Sequence, residues 1–187
     1  MSAVFLEQRH RGSTLGSSVC AGFGALWSVW ASAGLPPAAA LVCQTAGLVA
    51  GGLVLVIALL RRTSGQDRRG SGDARRWRRY WAVNAAELVL VVAGAFTLTA
   101  ARVPTLVIVW TAAVVGAHFV VLARWFWRGF AVLGGCVLLG AAAGGLVALW
   151  RLDAAVGTTG TIVSVALLVF AAVLVPRRRA RRAARPT

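Results

Sequence analysis

Two ionisable side chains, Glu87 and His118, lie inside long apolar runs of this sequence. An ionised group at the centre of a membrane-spanning helix costs about 2.5–3.5 kcal/mol on insertion scales, so such residues are functional candidates by default. A carboxyl beside an imidazole can donate a proton and take it back, which is general acid–base chemistry. The spacing predicts that the two meet. A turn centred between Arg102 and Val103 separates their runs, with Glu87 15 residues before Arg102 and His118 15 residues after Val103. In an antiparallel hairpin they share one depth. Each is six residues from a span end, at Trp81 or Arg124, or about 9 Å inside that boundary.

Helical phase adds neighbours. Trp77, Tyr80, Asn84, Glu87, Val91 and Gly94 fall within about 100° of one another on one helix. Thr111, His118 and Trp125 recur every seven residues on the next. If these faces meet, Tyr80, Asn84, Glu87 and His118 line a polar pocket open to the cytoplasm, and Gly94 leaves room above it. Glu87 and His118 are the catalytic candidates. Tyr80, Asn84, Trp110, Thr111 and Trp125 are the substrate-contact candidates, and the rings of Tyr80, Trp110 and Trp125 could stabilise a cation. Beside this stands a plainer reading: Glu87 and His118 hydrogen-bond each other and only lock the hairpin.

The elements that position these residues are apolar helices. Of 187 residues 59% are hydrophobic and 13% charged, where a soluble domain carries about 25% charged residues. Six runs near the roughly 20 residues needed to cross a bilayer are predicted at about 15–33, 38–60, 81–101, 105–123, 130–150 and 154–175. The first is the weakest, rich in Gly, Ser and Ala. The chain therefore divides into a terminus over 1–14, two spans within 15–60, an Arg-rich linker over 61–80, four spans within 81–175 and an Arg-rich tail over 176–187. The expected fold class is an all-α, six-helix membrane bundle.

All 20 basic residues are Arg. With the N-terminus inside, 18 of them fall in cytoplasmic segments and only Arg102 and Arg151 outside, so the positive-inside rule predicts both termini in the cytoplasm. Trp77, Trp81, Trp125, Trp127 and Trp150 lie near span ends, as an aromatic belt requires. The all-Arg usage points to a high-GC bacterium and its cytoplasmic membrane. An alternative makes the first run a signal peptide cut after Ala31-Ser32-Ala33.

Several classes are disfavoured. The net charge of +15 is explained by topology and anionic lipid rather than nucleic acid. Cys20, Cys43 and Cys136 are scattered in apolar runs, and with His10 and His118 they make no metal-ligand spacing. No cofactor motif is present. Gly47-x-x-x-Gly51, Ala112-x-x-x-Gly116 and Gly140-x-x-x-Gly144 supply small faces for helix contact, within one bundle or in a homodimer.

The segment Gly116-x-His118-Phe119-x-x-Leu122-Ala123 resembles a pattern in small bacterial six-span membrane proteins, a likeness that implies no activity. The general plan, a helical bundle with a buried carboxylic acid, is similar to that of the integral-membrane terpene cyclases. That likeness implies Glu87 as the acid that protonates an alkene or epoxide of a lipophilic substrate. Two further functions are carried: a proton-coupled transporter working as a dimer, and a non-catalytic scaffold whose Arg-rich segments bind anionic lipid or an acidic partner. The transporter reading is weakened by the prolines, since Pro36, Pro37, Pro104, Pro176 and Pro186 all lie at span ends or in the tail.

Overall fold

The computed structural model describes residues 13–60 and 74–174. The terminus and most of the basic linker and tail, read above as topology determinants and as lipid or partner contacts, lie outside the described residues. The described chain is built of six α-helices: α1 Ser13–Ser32, α2 Pro37–Leu60, α3 Ala74–Ala100, α4 Leu106–Ala123, α5 Gly129–Ala148 and α6 Leu152–Leu174. Five of them, α2 to α6, are long and apolar enough to cross a membrane. The chain is thus an all-α protein of multi-pass membrane character.

Helix bounds follow the expected spans except at α3, which begins at Ala74 inside the Arg-rich linker. Arg is a good helix former, and Trp77 stacks on Tyr80 (5.5 Å) and meets Trp81 edge-on (5.8 Å), so this first stretch is held by its own rings. At its other end α3 stops in a Schellman turn. Val103 N–H donates to the Leu98 carbonyl and Arg102 N–H to that of Thr99, with Arg102 at φ 61°. That left-handed residue reverses the chain where the hairpin was expected to turn.

The helix α6 is the hub. It packs against α1, α2, α4 and α5, and its buried residues are mostly small, including Ala155, Gly157, Gly160, Ser164 and Ala171. The helix α1 lies antiparallel along it from end to end. Ser17 donates to the Ala171 carbonyl (2.8 Å), Ser164 donates to the Gly24 carbonyl (2.7 Å), and Gly160 and Gly157 receive Ala31 and Gly34. Each interhelical hydrogen bond of this kind in a membrane is worth about 0.6–2 kcal/mol. The start of α1 and the end of α6 therefore lie on the same side of the bundle.

The three small-residue pairs are all consumed within the bundle. Gly47 and Gly51 of α2 sit on Ser28, Ala21 and Ala25 of α1. Gly140 and Gly144 of α5 sit on Val163, Thr159 and Ala155 of α6. Gly116 of α4 meets Gly134 of α5, backbone to backbone. Between these helices Trp27, Ala112, Leu133, Val137, Val163 and Leu167 form the core. The helix α3 differs, because α4 is the one helix it packs against among the described residues.

A methyl group on Gly134 would stand 2.6 Å from the Gly116 carbonyl oxygen, whereas one on Gly135 meets open space. We expect Gly134→Ala to destabilise the detergent-solubilised protein by about 1–3 kcal/mol and Gly135→Ala to hold or raise its melting temperature, since an unhindered alanine favours the helix. Equal melting temperatures for the two variants would contradict this packing of α4 on α5.

Candidate functional site

The α3–α4 hairpin brings the two ionisable side chains into contact. His118 Nδ1 lies 2.9 Å from Glu87 Oε2. The register counted from the turn is therefore the register of the folded hairpin. The two side chains are unequally covered: the imidazole is 8% exposed and the carboxylate 23%. The contact is an ion-pair distance without hydrogen-bond alignment, since buried Nδ1 has no aligned partner. At that distance the two groups are within reach of one another for proton exchange.

Why the hairpin closes here is visible in the residues on either side of the pair. Along α3, Tyr80, Val83, Asn84, Glu87, Val91, Gly94, Ala95 and Leu98 are half-buried, while most positions between them are exposed. This is the face that turns to α4. Below the pair, the indole of Trp110 lies over Gly94, in space that any Cβ there would fill, and its Nε1–H donates to the Leu90 carbonyl (2.9 Å). Above the pair, Tyr80 meets Phe126 edge-on at 5.9 Å and Arg79 lies over the Trp125 ring at 5.8 Å. Helical rise puts Tyr80 about 10 Å from Glu87.

The expected site residues therefore separate. Glu87 and His118 are joined, and Asn84 and Tyr80 share their face. The Asn84 amide, however, donates to the Tyr80 carbonyl of its own helix (2.7 Å). Thr111 hydroxyl donates to the Val107 carbonyl (2.8 Å), so its hydrogen is spent within α4. Trp110 does not border a free space beside the acid: it fills the room that Gly94 was expected to leave. Trp125 is engaged by Arg79, and Tyr80 by Trp77, Trp81 and Phe126. The rings expected to surround a cation at Glu87 are thus committed to holding the hairpin together. His118 also meets a ring that was not among the expected site residues, Phe119, edge-on at 5.6 Å. It adjoins His118 in sequence, and its stacking on Phe130 (5.8 Å) ties the site to α5.

Among the described residues, no group of three His, Cys, Asp or Glu side chains is placed to hold a metal ion. The chemistry the arrangement supports is proton exchange between a carboxyl and an imidazole. No protein-family model matches this chain, and no curated protein or solved structure shows significant similarity to it.

The contact makes the two residues energetically dependent. In a double-mutant cycle with Glu87→Gln and His118→Gln, we expect a coupling of about 0.5–3 kcal/mol in unfolding from detergent micelles. Additive losses would show that the two side chains do not act as a pair.

Proposed function

We propose that this protein is a six-span protein of the bacterial cytoplasmic membrane, with both termini inside. On this reading the Glu87–His118 pair serves a lipophilic small molecule in the cytoplasmic half of the bilayer. The observation that carries it is the 2.9 Å contact between a buried imidazole and a partly open carboxylate. Two residues that only locked a hairpin would gain little from being ionisable, because apolar side chains of similar volume pack at equal or lower cost. An acid with an exposed edge inside a span has access to molecules dissolved in the lipid.

Proton donation from Glu87 to an alkene or epoxide is the reaction the pair would support. The carboxylate left behind would face the imidazole, and loss of a proton from the cationic product would restore the acid. Structural support for the first helix comes from α1 lying beside α6 over its whole length, at the depth of a helix that is itself long and apolar enough to span. Ala31, at the alternative cleavage site, is fully buried inside α1 and packed on Gly160, which favours retention of the segment. The helices α2 to α6 run unbroken. This favours a binding or catalytic site over a transporter built on interrupted helices.

Native mass spectrometry of the detergent-purified protein tests the site. Wild type is expected to carry a defined lipophilic molecule that Glu87→Gln loses or holds in altered chemical form. If both proteins arrive empty at the same stability, Glu87 is not a ligand-binding residue and the reading fails. Topology is tested separately by reporter fusions at Gly70 and Thr187. Both should report cytoplasm, and one outside signal would overturn the six-span arrangement.

A further inference from the structure

The end of the hairpin nearest the pair carries an excess of positive charge. Arg78 and Arg79 of α3, Arg124 at the end of α4 and Arg128 before α5 are all exposed. None of the four has a carboxylate partner among the described residues, where Glu87 pairs with His118 and Asp153 with Arg151. Exposed rings lie between them: Trp77, Trp81, Phe126 and Trp127. Arginine among indoles at the end of an apolar span sits at head-group level, where a guanidinium can grip a phosphate with two parallel hydrogen bonds. One of these cations is also oriented, since Arg79 lies over Trp125 and so bridges α3 to the α4–α5 loop.

The depth of the pair relative to these cations is set by helical rise. Arg79 precedes Glu87 by eight residues and Arg124 follows His118 by six, which places the guanidinium backbones about 12 Å and 9 Å above the pair. The half-buried face of α3 leans on α4 alone, and just past Glu87 the helix turns Leu88, Val89 and Val92 away from α4, each more than half exposed. In a bilayer those side chains meet acyl chains, and so does the open edge of Glu87.

We propose that the molecule served by this site is an anionic amphiphile of the cytoplasmic leaflet. Its phosphate head lies against Arg79 and Arg124, and its hydrocarbon chain runs along the α3–α4 hairpin past Glu87. The inference rests on the reading of Glu87–His118 as a lipophile's site and adds the chemical class of the occupant. Charge complementarity selects the head group, and the separation of cations from acid selects a molecule with its reactive or recognised position inside the chain.

The full-length protein in detergent, titrated with phosphatidylglycerol or phosphatidylcholine, tests the proposal by native mass spectrometry. Wild type should retain phosphatidylglycerol about tenfold or more in preference to phosphatidylcholine, as two arginines near a lipid head allow. The Arg79→Gln/Arg124→Gln variant should lose most of that preference, and Arg102→Gln, at the opposite end of the hairpin, should keep it. A diazirine on the phosphatidylglycerol chain should mark the stretches of α3 and α4 around Glu87 and His118, in wild type and in Glu87→Gln. Absence of head-group preference, or an equal loss in Arg102→Gln, overturns the inference while leaving the Glu87→Gln ligand result to judge the site on its own. Retained preference with labels on other helices overturns it too, because the lipid would then sit at the arginines without reaching the pair.

Discussion

Helices in lipid gain nothing from hiding apolar surface, because hydrocarbon surrounds them in either state. Close approach is what remains, and here it is concentrated on α6. Its small residues let α1, α2, α4 and α5 come near enough for van der Waals contact and for serine hydroxyls to reach neighbouring carbonyls. The same demand explains the odd composition of α1. It packs against α2 and α6 through the small residues Ser17, Ala21, Gly24, Ser28 and Ala31, with Trp27 the one bulky side chain buried among them. The helix α3 solves the opposite problem. It presents Leu88, Val89, Val92 and Phe96 outward and holds to a single neighbour through a short series of specific contacts.

Those contacts form a ladder along the hairpin: an indole over a glycine, an acid against an imidazole, a tyrosine against a phenylalanine, a guanidinium over an indole. Only the second rung joins an acid to a base, and its carboxylate is partly open. The neighbouring rungs hold the pair at fixed depth, so the aromatic residues act by positioning the acid and not by touching what it acts upon. The covering of the two members differs: the imidazole is buried, with Phe119 edge-on to it, while the carboxylate is partly exposed.

Much of this was legible in the sequence, and the reasons are physical. Six apolar runs could be marked because the bilayer imposes a length, and six helices are found, five of them long and apolar enough to span. The pairing of Glu87 with His118 could be counted because a tight turn fixes the register of two straight helices. Rotamers were out of reach: nothing in the spacing says that Trp110 turns onto Gly94, or that Asn84 and Thr111 each donate to a carbonyl of their own helix. The destinations of the small-residue pairs were equally hidden, since a glycine pair names a close approach but not the helix that makes it. Gly157 and Gly160, three residues apart, escaped the four-residue pattern although they receive α1. The early start of α3 was visible in the helical phase of Trp77 and Tyr80 with Asn84 and Glu87, although the hydropathy of that arginine-rich stretch is that of a linker.

The dependence of α3 on α4 alone also has a history within each molecule. Glu87 leaves the ribosome before the residue that receives it, since His118 follows it by 31 positions. At about 5–20 residues per second, the acid has no partner for roughly two to six seconds of synthesis. The helices α1 and α2 offer it nothing, since neither touches α3 in the finished bundle. The α3–α4 hairpin is thus the smallest part of the chain in which the acid has its imidazole.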